Sequence, residues 1–247
     1  MPQIQNLSEV SQKDEIIAED LNVFGNVYEE SIVDTHKLFV KGIVYANSTQ
    51  FTKYAEIHEH RGVLRCHKAH IEILNGGEIH ASSVTIDKCV NGSIYAQNIK
   101  IKNVESGVHL YASHSITIES LNGTNNNFHI DYRRVPIIVS KLELIQEDIQ
   151  ELNFLLQKAK ENHSTTQKDI ENEIDRLQKE FESIENSCKI AKISIDEISN
   201  IGNIISFTID DDNTINYKTT NSKYDSFYLE FNDNQVTLHP TQKTITL

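Results

Sequence analysis

The sequence has few basic residues for its size. Its 247 residues include 23 Lys and Arg against 36 Asp and Glu, which gives a formal net charge of −13. Proteins that bind nucleic acid or anionic membrane surfaces draw much of their affinity from clustered Lys and Arg. The charge balance therefore argues against nucleic acid and anionic membrane as partners.

Cysteines and long apolar runs are also scarce. The three cysteines cannot all pair, and Cys66, Cys89 and Cys188 each fall within an apolar pattern, so we expect reduced, buried thiols. No stretch approaches the ~20 apolar residues of a membrane-spanning helix. The first residues, Met1 to Gln5, show no basic start of a secretory signal. These absences predict a cytoplasmic protein that is not inserted in a membrane.

Glycine, although infrequent, recurs at a fixed interval. Gly62, Gly77, Gly92 and Gly107 are spaced by fifteen residues. Setting them in register aligns five apolar rows, which are Leu64, Ile79, Ile94 and Leu110; Cys66, Ala81, Ala96 and Ala112; Ala69, Val84, Ile99 and Ile116; Ile71, Ile86, Ile101 and Ile118; and Leu74, Cys89, Val104 and Leu121. Such a period, rich in Val and Ile, is typical of stacked coils. The repeat predicts a right-handed parallel β-helix of short coils.

The remainder of the chain divides around this repeat, and the whole is predicted to be mainly β with an α-helical insertion. We predict an N-terminal lead-in over residues 1–22 and a β-helix of about seven coils over 23–137. An antiparallel coiled-coil hairpin is predicted over 138–195, where the apolar spacing changes to three and four. A C-terminal β segment over 196–247 is expected to pack on the β-helix or cap it.

Two heptad patterns define the predicted hairpin. A short polar segment around residues 161–167 separates them, so the helices should fold back on each other. The predicted coiled-coil seam consists of Leu142, Ile145, Ile149, Leu152, Leu156, Ile170, Ile174, Leu177, Phe181 and Ile184.

Histidine is the ligand-type residue that most invites a metal interpretation. Nine of the eleven histidines lie between His36 and His129. A metal site needs several donors that converge on one point, and neither the pair of His58 and His60 nor that of His67 and His70 recurs from coil to coil. We therefore expect these histidines to face solvent, and we predict no metal or cofactor site.

One outward row combines polar and aromatic side chains. The register places Arg65, His80, Tyr95 and Tyr111 one above another on successive coils. Ordinary stacking between coils is the interpretation we favour, and a contact ladder for a partner is the alternative.

Polysaccharide-cleaving β-helices are the relevant class of enzyme. They usually have longer coils, with loops that build a groove lined by clustered carboxylates or basic residues. Here the coils are short and the acidic residues are scattered over outward positions. We therefore predict a protein without catalytic residues, and a polysaccharide-active enzyme remains a minor alternative.

The order of a short-period β-helix, a helical hairpin and a return to β structure resembles the flagellar assembly protein A family of bacteria. The resemblance is carried by the segments 76–81, 90–96 and 108–116, which read GGEIHA, VNGSIYA and VHLYASHSI. It implies a non-catalytic scaffold that supports flagellar assembly or placement through protein partners, with self-association also allowed. Bactofilins and the C-terminal domain of the division inhibitor MinC use similar coils. A polymerising cytoskeletal or cell-shape protein is therefore the alternative.

Overall fold

The computed structural model describes residues 4–161, 166–187, 190–208, 214–219, 227–232 and 235–240. Its strands are β1 (Ile4–Leu7), β2 (Glu15–Val23), β3 (Ile32–Val44), β4 (Thr49–His60), β5 (Val63–Asn75), β6 (Glu78–Val90), β7 (Gly92–Val104), β8 (Val108–Leu121), β9 (Asn127–Ile130), β10 (Lys192–Ile198), β11 (Ile204–Thr208), β12 (Thr214–Lys218), β13 (Phe227–Asn232) and β14 (Gln235–Pro240). A short 3-10 helix (Tyr132–Arg134) precedes α1 (Pro136–Glu161), which is followed by α2 (Gln167–Ser187).

The first eight strands stack in chain order. Each of β1 to β7 pairs in parallel with the next strand. Strands β3 to β8 run for 12 to 14 residues, so one strand supplies most of one coil. The fold is therefore a parallel β-solenoid of about eight turns, which confirms the predicted β-helix. Its handedness stays a prediction.

The predicted apolar rows agree with the pairing register. Leu64, Ile79, Ile94 and Leu110 are partners on successive strands, and all four are fully buried. The rows that contain Ile99 and Ile101 are buried in the same way. Each Ile or Leu that leaves water contributes roughly 1.5–3 kcal/mol, so the rows form one continuous core along the rod.

Left-handed backbone conformations mark the corners of the coils. Gly76 and Gly77 have φ angles of 78° and 77°, a region in which glycine carries no steric penalty. A Cβ atom added at Gly76 would meet nothing within 4 Å, whereas one at Gly77 would lie 2.7 Å from the carbonyl oxygen of Gly62. The two adjacent glycines thus differ only in how closely the neighbouring coil approaches.

This difference predicts unequal effects of two alanine substitutions. Gly76→Ala should lower the free energy of unfolding by about 1 kcal/mol, because alanine is strained at positive φ. Gly77→Ala carries the same strain and also displaces backbone of the preceding coil, so we expect a loss of about 2 kcal/mol or more. Equilibrium unfolding in urea measures both values, and equal losses would contradict the close packing at this corner.

The solenoid begins before the predicted boundary at Val23. Pairing of β1 with β2 and of β2 with β3 places part of the predicted lead-in within coils. The corners of these coils are Lys13, Glu30 and Asn47, which have φ angles of 67°, 61° and 60° and are spaced by seventeen residues. Because none of these positive-φ corners is glycine, the fifteen-residue glycine interval of the later coils does not continue here, although Gly25 and Gly42 are seventeen residues apart.

The two helices interrupt one coil of the solenoid. Strand β9 pairs in parallel with residues 109–112 of β8, and β10 pairs in parallel with residues 115–121 of the same strand. Residues 131–191, which include both helices, therefore fill the position that Ser113 and His114 fill one coil earlier. Neither described helix is long and apolar enough to cross a membrane.

The predicted end of the helical segment at residue 195 is wrong. Strand β10 begins at Lys192, and Ile193 and Ile195 are fully buried in the solenoid core. These two isoleucines alternate with Ser194, which is the period of a strand rather than of a helix.

Parallel stacking ends with β10 and β11, the first two strands after the insertion. Strand β11 still pairs in parallel with β9, but β12 pairs antiparallel with β11. Strand β13 pairs antiparallel with residues 192–195 of β10 and with β14. Over those residues β13 occupies the edge that a further parallel coil would use.

Candidate interaction surfaces

A ladder of stacked rings lies on one side of the solenoid. The ring centroids of His80 and Tyr95 are 4.9 Å apart, those of Tyr95 and Tyr111 are 4.8 Å apart, and both pairs are nearly parallel. Arg65 lies opposite His80 in the register and is exposed. The ring contacts thus begin at His80, and stacking between coils accounts for three of the four predicted ladder residues.

The ladder extends beyond the predicted set. The rings of Tyr111 and His129 are 5.1 Å apart, and the guanidinium of Arg134 lies over Tyr111 at 5.4 Å from the ring centroid. Tyr111 and His129 are eighteen residues apart, so His129 falls outside the fifteen-residue register. The fifteen-residue period therefore does not predict that His129 joins the ladder. No pattern in the sequence predicts the contact of Arg134 with Tyr111.

Burial keeps two rungs of the ladder neutral. Burial raises the pKa of Tyr95, and the nearby Tyr111 and Glu78 raise it further. Burial lowers the pKa of His129, and the charge of Arg134 acts in the same direction. Both shifts disfavour the charged form of the ring, so these two rungs take part in contacts as polar, uncharged groups.

The ladder lies beside the base of the helical insertion. Strand β8, which carries Tyr111, is approached by the 3-10 helix, while β6 and β7, which carry His80 and Tyr95, are approached by α1. All four rings are half-buried. Tyr111 contacts the insertion directly, because the guanidinium of Arg134 lies over its ring.

A polar network fixes the start of the insertion. The carboxylate of Asp131 accepts a hydrogen bond from the backbone N–H of Arg133 at 3.2 Å, and it pairs with the guanidinium groups of Arg133 and Arg134 at 3.1 and 3.5 Å. The Tyr132 hydroxyl donates to the carboxylate of Glu185 in α2 at 3.3 Å. The network therefore links α2 to the segment that holds Arg134 over the ring of Tyr111.

The two helices contact each other through apolar residues and ion pairs. Lys141 pairs with Glu180 at 3.0 Å and Lys160 with Glu171 at 3.4 Å, so each pair joins α1 to α2. The predicted seam residues Leu142, Ile145, Ile174 and Leu177 are buried, and Ile149, Leu152, Leu156, Ile170, Phe181 and Ile184 are half-buried. Residues 162–165, within the predicted connection, lie outside the described residues.

His60 departs from the expected solvent exposure. It is fully buried and occupies an inward row, between Val44 and Leu74 on the neighbouring coils. Among the described residues neither ring nitrogen makes a hydrogen bond of good geometry, although backbone groups of Glu78 and Gly62 act on the ring and partly offset the effect of burial. Burial lowers the pKa of His60 to about 4. The prediction that His60 faces solvent was wrong because it followed from the polar side chain and not from the position in an apolar row.

Two of the cysteines are buried as expected. Cys66 and Cys89 belong to the core, and burial raises the pKa of each thiol to about 12. Thiols that stay protonated are poor nucleophiles and poor metal ligands. Cys188 lies outside the described residues.

Potential metal ligands are dispersed over the rod. His58 pairs with Glu72 at 2.6 Å, and His70 lies 3.7 Å from Asp87. Within the described ranges, no group of three or more His, Cys, Asp and Glu residues is arranged to hold a metal ion.

Comparison of the chain with protein-family models, with curated proteins and with solved structures gives no match.

Proposed function

We propose that this chain is a non-catalytic scaffold of the bacterial cytoplasm that supports flagellar assembly or placement through protein contacts. The observation that carries the proposal is the helical insertion at residues 131–191, which interrupts one coil of the solenoid and contacts its ring ladder where Arg134 lies over Tyr111. A rod that holds a second, helical surface at a fixed corner can keep two partners in a defined arrangement. The side of the solenoid offers contact area along its whole length, which a scaffold requires.

We infer further that the helices form an antiparallel coiled-coil hairpin. Lys141 near the start of α1 contacts Glu180 in the second half of α2, and Lys160 near the end of α1 contacts Glu171 near the start of α2. This pattern fits helices that run in opposite directions. At 1.5 Å per residue, the 26 residues of α1 would extend roughly 40 Å.

The flagellar part of the proposal depends on the resemblance of the element order and of the repeat segments to the flagellar assembly protein A family. Its test is deletion of the gene in the native host, with flagella counted by electron microscopy and cell curvature recorded in the same images. We expect few or misplaced flagella and normal cell shape. Normal flagella with altered shape would contradict the flagellar role, and so would no change in either.

Complementation of the deletion strain tests the role of the helices. The wild-type gene should restore flagella, whereas a variant in which residues 131–191 are replaced by Ser-His should not. Ser-His is the corner that the preceding coil uses. Restoration by this variant at normal protein level would contradict a helical contact surface.

A polymerising protein of the bactofilin type is the second candidate, because the first coils expose apolar residues. Leu7, Ile16 and Ala18 lie on the first two strands and pack against the core, but they are only half-buried. Rods stacked end to end would cover them. The antiparallel strand on β10 works against continued stacking at the other end. Sedimentation velocity distinguishes the two, since long filaments would favour the polymer and small discrete species the scaffold.

A further inference from the structure

Helix α1 exposes four large apolar side chains, whereas the described part of α2 exposes none. Ile137, Leu144, Phe154 and Leu155 are 37%, 61%, 57% and 43% exposed. Ile137 and Leu144 are seven positions apart, and Leu144 and Leu155 eleven, which is about two and three helical turns. These three therefore lie on one side of α1, and Phe154 flanks them. All the large apolar side chains of α2 between residues 167 and 186 are buried or half-buried.

Carboxylates without ion pairs lie between and beside these apolar side chains. Glu143, Glu147, Asp148 and Glu151 are exposed, and residues 142–157 include no Lys or Arg. The next residue, Lys158, places its ammonium 4.2 Å from the centroid of the Phe154 ring. Within the described part of the chain, none of these four carboxylates has a basic group within 4.0 Å. We call these four residues, together with Ile137, Leu144, Phe154 and Leu155, the outer face of α1.

Charges on α2 are arranged differently. Arg176 binds Glu173 through two contacts of 2.7 and 2.9 Å and also contacts Glu180 at 3.3 Å. Glu180 and Glu171 further pair with lysines of α1. Carboxylates on α2 are therefore partly neutralised within the molecule. Asp148 and Glu151 of α1 line a groove shared with Arg176 but lie beyond ion-pair distance from it, so they are available to an external partner.

We propose that the outer face of α1 binds a basic amphipathic helix of a partner protein. Leu144 and Leu155 would contact the apolar stripe of that helix, and its flanking Lys and Arg would pair with Glu147, Asp148 and Glu151. A second copy of this chain would bring two acidic faces together, and an anionic membrane would repel the face in the same way. Charge complementarity thus selects a basic partner. This inference rests on the proposed function in treating the helices as a contact surface.

The test uses the full chain and a synthetic basic amphipathic peptide of about five helical turns, with Leu at helical spacing and Lys and Arg elsewhere. Fluorescence anisotropy measures its dissociation constant. A peptide of the same composition, with Leu moved out of helical register, is the control for non-specific attraction. We expect the amphipathic peptide to bind at least about tenfold more tightly than the control. Equal binding of both peptides would overturn the proposal.

Variants locate the site. Leu144→Gln with Leu155→Gln should weaken binding by about tenfold or more while the net charge is unchanged. Glu147→Gln, Asp148→Asn and Glu151→Gln together should weaken it similarly, and more at low salt than at high salt. The matched control is Asp169→Asn, Asp175→Asn and Glu182→Gln, which removes the same charge from α2 and should change binding less than about twofold. Equal losses in the two triple variants would overturn the location.

Sedimentation equilibrium of the wild-type chain tests the alternative that a second copy of the chain occupies the outer face of α1. A dimer that dissociates on Leu144→Gln with Leu155→Gln would show that a second copy fills the face, against the proposal. The peptide experiments do not involve flagella. A failure of peptide binding would therefore contradict only the proposed binding site on α1. A normal flagellar count in the deletion strain would contradict the proposed flagellar function.

Discussion

Replacing His60 by leucine is expected to stabilise the protein, and more strongly in acid. The ring is fully buried, and among the described residues neither nitrogen makes a hydrogen bond of good geometry, so the nearby backbone of Glu78 and Gly62 satisfies it only in part. An unsatisfied buried polar group costs about 1–3 kcal/mol. The next coil already has Leu74 at this row position, so leucine should fit. We expect the free energy of unfolding at pH 7.5 to rise by about 1–2 kcal/mol in urea denaturation.

The pH dependence follows from the lowered pKa. His60 has a pKa of about 4 in the folded protein against 6.5 for a free ring. Between these values the unfolded chain binds a proton that the folded chain does not, so stability is lost as pH falls from 6.5 towards 4. At pH 5 this loss is about 2 kcal/mol. The advantage of His60→Leu over wild type should therefore grow by about 2 kcal/mol from pH 7.5 to pH 5.

His58→Gln is the matched control for His60→Leu. His58 lies two residues away, is exposed and pairs with Glu72. Its replacement should change the free energy of unfolding by less than about 0.5 kcal/mol. An advantage of His60→Leu that does not vary with pH, or a loss of stability in that variant, would contradict the burial of a neutral ring.

Truncation of a central core residue should have the largest effect of any single substitution considered. Ile86 is fully buried in β6, with Ile71 and Ile101 as partners on the adjacent strands. Ile86→Ala removes buried methyl groups and leaves a cavity that the stacked backbones cannot close. We expect a loss of about 3–4 kcal/mol in the free energy of unfolding, measured by urea denaturation.

Ile17→Ala is the comparison for that substitution. Ile17 is 85% exposed on β2, so the same chemical change removes little buried area. We expect a loss below about 1 kcal/mol. Similar losses for the two variants would contradict the assignment of inward and outward rows.

The regular coils could be predicted because their corner residues and apolar rows share one period. Gly77 and Gly92 adopt positive φ at equivalent corners, and the rows through Ile86 and Val84 then follow by counting. The coils before Val23 were not predicted because Lys13 adopts the same backbone conformation without being glycine, whereas Gly25 and Gly42 mark the next coils at a spacing of seventeen. Backbone geometry repeats there while residue type does not.

The candidate site could be predicted only in part, for a related reason. His80, Tyr95 and Tyr111 follow the period and were placed together correctly. His129 joins them across a longer spacing, and Arg134 joins from outside the repeat. The insertion also separates Ile130 from Ile193 in sequence although they belong to one coil. Contacts made across an insertion leave no periodic signal.

The most direct test of the account is far-UV circular dichroism with thermal unfolding of the variant in which Ser-His replaces residues 131–191. If the helices are an insertion in one solenoid coil, the variant should keep a β spectrum, lose the helical signal and unfold cooperatively. A variant that is unfolded, or that aggregates without cooperative unfolding, would contradict the claim that the solenoid is complete without its helices.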